Sequence, residues 1–353
     1  MYVKDVAVNK EEISNFNDFV LAADVGGTNS KFAVYGDNVK KIFSFEIKSS
    51  EIKDVVNTIK DVIKFAKEEF SLTIDSGCIS AAGPVSGRRI NLTNSPLNVD
   101  VDRVFSETGL IKVGLINDFE AVGYGLSFVE DCDLEKINSA KPVEDESQAY
   151  IGAGTGLGQG LLVFNGERRV PLASEGGHCS FCAIDEYDWD MKTFIEKQVN
   201  HEVDYDLMVS GRGLVHMFNF AVYNLADNGE YEIREEIEKE NVDKGTLITK
   251  YGVNGDDEYC KKAVDYFVKH YARAIRHLAL SVLPFGGMYI AGGIAPNMVD
   301  RLKKNDFLEE FENHYAQKSL LNKIPLYVVK DTNIGLKGAA NVAFNFKEKL
   351  LKK

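Results

Sequence analysis

Hydrophobic residues in this chain switch repeatedly between a period of two and a period near 3.6. Phe19-Val20-Leu21-Ala22-Ala23 is a continuous apolar run ending at Asp24, and Lys31-Phe32-Ala33-Val34-Tyr35 alternates after it. The pattern predicts a buried strand and its partner. Between them lies Gly26-Gly27-Thr28-Asn29, so the pair reads as a β-hairpin with a glycine-rich turn. A Rossmann or P-loop site would instead lead from strand to helix. Ile52, Val55, Val56, Ile59, Ile63 and Ala66 fall on one helical face. Residues 75–80 predict a strand running into Ala81-Ala82-Gly83-Pro84-Val85-Ser86-Gly87. Residues 113–116 predict another, ending at Asn117 and Asp118, and 119–129 a helix whose Gly123 and Gly125 mark close packing.

The second half repeats the theme. Residues 148–152 form a strand, Gly152-Ala153-Gly154-Thr155-Gly156-Leu157-Gly158 a glycine turn, and 160–164 the returning strand. Strand, glycine turn, strand thus occurs twice, which points to internal duplication. Val264, Phe267, Val268, Tyr271, Ile275, Leu278 and Val282 predict a long helix. It leads to Met288-Tyr289-Ile290-Ala291, a strand ending in Gly292 and Gly293. A late strand at 326–329 and a final helix at 335–346 complete the pattern. Residues 1–18 are polar and read as outside the core or as a small addition to it. Segments 133–148 and 228–244 read as surface loops or solvated helices. Alternating strands and helices imply two α/β domains around a cleft: a small one of residues 1–128 plus 333–353, and a large one of 129–332.

A chain of 353 residues, 44% hydrophobic, has material for two moderate cores. Its net charge of -13 argues against nucleic acid or anionic membrane as a partner. Glycines and a proline break the apolar stretch 278–294, so it predicts no membrane span. The N-terminus lacks a basic region followed by an apolar run, and five cysteines suit a reducing compartment, so a soluble cytoplasmic protein is expected. Cys179 and Cys182 beside His178 resemble half a zinc site, but no second pair has ligand spacing. The plainer reading is of two small, partly buried thiols.

The two glycine turns carry the chemistry. Glycine lets backbone N–H groups approach phosphate oxygens where a Cβ would collide, and threonine adds a hydroxyl donor. Two such turns suggest two cradles on one polyphosphate. Asp118, at a strand's carboxyl end, reads as a base facing a cleft or as an N-cap for the following helix. Glu175 and His178, in the flexed loop Glu175-Gly176-Gly177-His178, offer acceptor and donor groups suited to sugar hydroxyls, or belong to a plain surface loop. Asp24, beside the first turn, reads as an outer-shell Mg²⁺ anchor or a turn residue.

In order, LAADVGGTNSKFAV, ISAAGPVSG, INDFEAV, IGAGTGLGQGLLV, EGGH, VSGRGLV and MYIAGGIAPN run from residue 21 past 297, with Asn333-Ile334-Gly335-Leu336-Lys337-Gly338 beyond. Colinear and specific as a set, these segments resemble the bacterial-type glucokinase family of the hexokinase–actin–chaperone ATPase superfamily. The Cys/His zinc motif of the separate repressor–kinase group is missing. The resemblance implies two RNase H-like (actin/hexokinase-like) domains flanking a deep cleft. It implies ATP and Mg²⁺ as cofactors and D-glucose as the acceptor, with glucose 6-phosphate as product. Asp24, Gly26, Gly27, Thr28 and Asn29 then match the first phosphate loop, Gly154, Thr155 and Gly156 the second, and Gly292 and Gly293 the adenosine-side turn. Asn117, Asp118, Glu175 and His178 match the sugar set, with Asp118 as the base. Asp206 stands where the family usually has glutamate; one methylene shorter, it puts one sugar contact in question. Mannose or fructose kinases use the same cleft, whereas an actin- or chaperone-like nucleotide switch shares the loops but needs no sugar set. A homodimer is the assembly this reading leaves open.

Overall fold

A computed structural model describes residues 5–7, 10–83, 85–92, 95–225, 233–239 and 242–351. Pro84 and parts of two expected segments, 1–18 and 228–244, lie outside those residues. The chain forms two compact units, Met1–Glu130 with Asn333–Lys353, and Asp131–Thr332.

The first unit holds β1 (Asp5–Val6), β2 (Phe19–Val25), β3 (Asn29–Gly36), β4 (Lys40–Lys48), β5 (Ser76–Ala81), the short ribbon β6 (Arg89–Asn91) and β7 (Asn98–Asp100), and β8 (Lys112–Asn117). Its six-stranded sheet has the order β1-β4-β3-β2-β5-β8. The second unit holds β9 (Leu134–Lys136), β10 (Gln148–Ala153), β11 (Leu157–Phe164), β12 (Arg169–Ser174), β13 (Gly287–Ala291) and β14 (Leu326–Val329), in the order β12-β11-β10-β13-β14-β9. In each sheet three strands are antiparallel and the next two continue parallel. The duplication expected from the two hairpins is therefore a repeat of sheet topology. Both units are mixed α/β, each with helices packed on its sheet.

Side-chain alternation divides the first sheet into two faces. Leu21, Ala23, Phe32 and Ile79 point to one and meet the helix Val55–Phe70. Asp54 caps that helix, accepting from the Val56 N–H, and Val55, Val56, Ile59, Val62 and Ala66 are buried along it. Fully burying a side chain of Val or Ile size stabilises by about 1.5–3 kcal/mol. Val20, Ala22, Cys78 and Ile116 point to the other face and meet the helix Ile334–Leu351. That helix crosses Asp118–Gly125 at very short range. A Cβ on Gly125 would lie 2.1 Å from the Ile334 carbonyl oxygen, and one on Gly338 1.8 Å from that of Ala121. The close packing expected at Gly125 is real, and it fixes the helix that begins at Asp118.

Three expectations change. The 119–129 helix is Asp118–Gly125 followed by a 3-10 turn, Leu126–Phe128. Within 133–148, Leu134–Lys136 is no loop but an edge strand paired with β14. Of the N-terminal segment, Asp5–Val6 adds a strand beside β4 and Ile13 is buried, so the described part is the small addition to the core. The long apolar stripe of the second unit lies on the helix Glu258–Val282, which buries Val264, Phe267, Val268, Tyr271, Ile275 and Leu278. Among the described residues no helix is long and apolar enough to cross a membrane.

Candidate active site

In the first unit β2, β5 and β8 run parallel, with Asp24 level with Ser80 and Ile116, and Val25 with Ala81 and Asn117. The turn after β2 and the Asn117-Asp118 pair after β8 thus emerge from the same sheet end. They are two strand spacings apart, roughly 10 Å. Asn117 is the N-cap: its Oδ1 accepts from the N–H groups of Phe119 at 2.8 Å and Glu120 at 3.2 Å, and its Nδ2 donates to the Gly83 carbonyl. The capping role weighed for Asp118 therefore belongs to its neighbour. Asp118 is the first helical residue, half-buried, with Oδ1 2.9 Å from the Phe119 nitrogen.

Ser49 shapes the first glycine turn. Its hydroxyl donates to the Gly26 carbonyl at 2.6 Å and its N–H to the Thr28 carbonyl at 2.8 Å, while Ser30 Oγ lies 2.9 Å from Ser49 Oγ. Two turn carbonyls are thus tied to one buried serine, and Gly27, Thr28 and Asn29 remain exposed. Asp24 accepts a hydrogen bond from Ser80 Oγ at 3.0 Å. Desolvation raises its pKa, opposed by that bond and by the Lys31 ammonium. The position of a Cβ on Gly335 would be 3.9 Å from both the Asp118 carbonyl oxygen and Asp24 Oδ2, so the start of the last helix abuts both residues. A Mg²⁺ that keeps most of its water needs few protein ligands beyond the phosphates it bridges. One desolvated carboxylate beside an exposed turn fits that requirement.

In the second unit the glycine turn is closed by its own backbone, with the Gly154 N–H donating to the Gly156 carbonyl at 2.8 Å. Gly292, at φ 85°, lies against the start of the turn, where a Cβ would come 2.6 Å from the Ala153 carbonyl oxygen. Gly154, Thr155 and Gly293 line a cavity of about 790 Å³ together with Arg212, Lys244 and Asn297. That volume lies within the usual range for small-molecule sites, about 300–1,000 Å³. Gly156 and Gly292 do not line it; a Cβ on Gly156 would lie 2.2 Å from Asp206 Oδ1.

Glu175 precedes and His178 ends a single 3-10 turn, Gly176–His178. A Cβ on Gly177 would sit 1.9 Å from the Leu157 carbonyl oxygen, so this loop rests directly on the exit of the glycine turn. Both side chains are exposed. His178 Nδ1 lies 2.8 Å from Asp204 Oδ2, and this bond, aided by the charges of Asp206, Asp204 and Glu175, raises the imidazole pKa. The pair adds stability that is complete below the ordinary imidazole pKa and disappears as pH rises through the raised value. Asp204→Asn is expected to move the His178 titration, followed by NMR, to lower pH. An unmoved midpoint would assign the shift to other charges.

Asp206, expected against a sugar hydroxyl, is buried beneath the glycine turn. Its Oδ1 accepts from the Leu157 N–H at 2.7 Å and its Oδ2 from Arg212 Nη2 at 2.7 Å. Among the described residues His178, Asp204 and Asp206 are the group able to hold a metal ion, their polar atoms lying within 4.8 Å of one another. Cys179 and Cys182 take no part in it and are exposed, not partly buried as expected. Sequence reasoning did not single out Ser49, Ser80, Asp204 or Arg212. Two of them stand within recognised segments, Ser80 in ISAAGPVSG and Arg212 in VSGRGLV at the start of the helix Gly211–Leu225.

A model of the glucokinase family matches residues 21–345. The chain belongs to the glucokinase family. It is 31% identical over 335 residues to the glucokinase of Nostoc sp. strain PCC 7120, covering 91% of this chain and 97% of that one. Its fold is that of the glucokinase from Balamuthia mandrillaris crystallised with glucose: TM-score 0.76, 21% identity, covering 93% and 94% of the two chains. A ROK family glucokinase from Streptomyces griseus, crystallised with glucose and AMPPNP, superposes with a TM-score of 0.64 at 18% identity, covering 93% of this chain and all of that one. The matched span takes in both hairpins, the Asn117-Asp118 pair and the Glu175–His178 loop.

Proposed function

We propose that this glucokinase-family chain transfers the terminal phosphoryl group of ATP to the 6-hydroxyl of D-glucose, giving ADP and glucose 6-phosphate. The observation that carries the reading is Asp118, relieved of capping by Asn117 and emerging at the same sheet end as the first glycine turn, two strands away. Related kinases crystallised with glucose and AMPPNP support both substrates.

In this reading Asp118 accepts the proton of the sugar hydroxyl as that oxygen bonds to the terminal phosphorus. The bond from phosphorus to the bridging oxygen breaks, and ADP leaves with the electron pair. A carboxylate is a weak base toward an alcohol, so the proton moves late, once bond formation has acidified the hydroxyl. Asn117, Glu175 and His178 take sugar hydroxyls, while the Asp206 carboxylate serves the Leu157 N–H and Arg212. Gly26, Gly27, Thr28 and Asn29 hold phosphate oxygens in the first unit, and Gly154 and Thr155 do so in the second, with Gly156 shaping that turn. Gly293 borders the nucleoside, and Gly292 lets its strand end pack on the turn. Asp24 would hold Mg²⁺ through its water shell, and that ion would neutralise charge on the terminal phosphates. Positioning and electrostatics suffice for transfer of this kind. A cytoplasmic setting agrees with five cysteines free of disulfides.

ATP turnover with and without sugar tests the assignment, using glucose, mannose and fructose against ATP, ADP and pyrophosphate. The expected result is turnover that requires glucose and ATP. Sugar-independent hydrolysis would replace the kinase by a nucleotide switch, and preference for another hexose would change the acceptor.

A further inference from the structure

The geometry points to Arg212 as a nucleotide-phosphate ligand, aimed into the cavity of the second unit by Asp206. This rests on the nucleotide reading of that cavity. Arg212 opens the helix Gly211–Leu225, and its backbone is fixed at the second glycine turn, because the Gly211 N–H donates to the Gly154 carbonyl at 2.8 Å. The next residue allows no slack: a Cβ on Gly213 would lie 1.9 Å from the Met208 carbonyl oxygen. The side chain is pinned at two further points, Nε donating to the Thr155 carbonyl at 3.3 Å and Nη2 to Asp206 Oδ2 at 2.7 Å.

Two of the five guanidinium N–H groups are thereby used. The other three have no partner among the described residues. Asp206 lies behind, with 12% of its side chain exposed, while Arg212 lines the cavity with 54% exposed. The buried partner is anionic and the exposed one cationic, so the pair presents positive charge where Gly154 and Thr155 border the cavity. A protein of net charge -13 needs such local charge to gather a polyanion. A planar guanidinium also donates in parallel to two phosphate oxygens, which an ammonium does not. Asp206 meanwhile holds the Leu157 N–H with its other oxygen, so one carboxylate sets both the turn and the cation. Arg212 is the ligand and Asp206 a positioning residue.

Calorimetric binding of a non-hydrolysable ATP analogue and of adenosine separates this role from a structural one, since adenosine tests the cavity without phosphates. Arg212→Ala is expected to weaken the analogue about 10–100-fold, the scale of a charge-assisted hydrogen bond, with adenosine and glucose binding unchanged. Arg212→Lys, which keeps the charge, should recover part of the loss, and Asp206→Asn should weaken the analogue less than Arg212→Ala does. Equal losses for analogue and adenosine would make Arg212 a brace of the turn and overturn the proposal, as would an unchanged analogue affinity. Failure of the unmodified protein to bind the analogue would overturn the nucleotide reading itself. Wild-type binding that survives Arg212→Ala would overturn the role of Arg212 alone.

Discussion

Asp118→Ala is expected to lower kcat about 10²–10⁴-fold, the usual scale for removing a general base. Asp118→Asn should behave similarly, since the amide keeps the shape but not the proton affinity. Both proteins should fold, because the cap of the Asp118–Gly125 helix is supplied by Asn117 and its packing by the glycine crossing. Glucose should still bind, more weakly through loss of one acceptor, so calorimetry with glucose alongside steady-state rates separates chemistry from binding. Near-wild-type turnover in a folded Asp118→Ala protein would move the base elsewhere.

Gly154→Val is expected to abolish measurable nucleotide binding while leaving the melting temperature close to that of the unmodified protein. A Cβ on Gly154 meets nothing within 4 Å, and the residue borders the cavity, so the new side chain occupies space meant for ligand. Gly292→Val should do the opposite. Its φ of 85° and the Ala153 carbonyl 2.6 Å from a Cβ leave no place for a side chain, so melting should fall before affinity can be measured. Unchanged affinity in Gly154→Val, with unchanged melting, would remove the second turn from the nucleotide site. Parallel loss of stability in both variants would reduce both glycines to scaffold.

Both hairpins were legible because their period-two patterns are long and their glycines lie at the turn. The strand-end position of Asp118 followed from the same patterning. Leu134–Lys136 was not legible: it is short and charged, and its pairing with β14 is a tertiary gain that an edge strand can accept with Lys136 exposed and Glu135 paired to Lys303 and Lys330. Ser49 carries no local mark of its role, because it stands 23 residues from Gly26 in the turn it holds. Asp206 shows a different limit. Its alignment with a family glutamate was readable, but the direction of its carboxylate depends on where Leu157 and Arg212 come to lie. The thiols of Cys179 and Cys182 were misjudged for a similar reason, since small apolar residues carry no local mark of burial.

The helix Ile334–Leu351 covers a face of the first sheet whose strands all lie within the first 117 residues. During synthesis that face waits. Val20, Ala22, Cys78 and Ile116 exist as a nascent surface while the ribosome makes the whole second unit, and Leu336, Ala339, Ala340 and Ala343 reach them only afterwards. At about 5–20 residues per second, the roughly 220 residues in between occupy some 10–45 s. Over that interval the second unit can fold as one continuous segment, whereas the earlier-made first unit still lacks the side chains that close its core. The first unit to be started is thus the last to receive all of its core side chains.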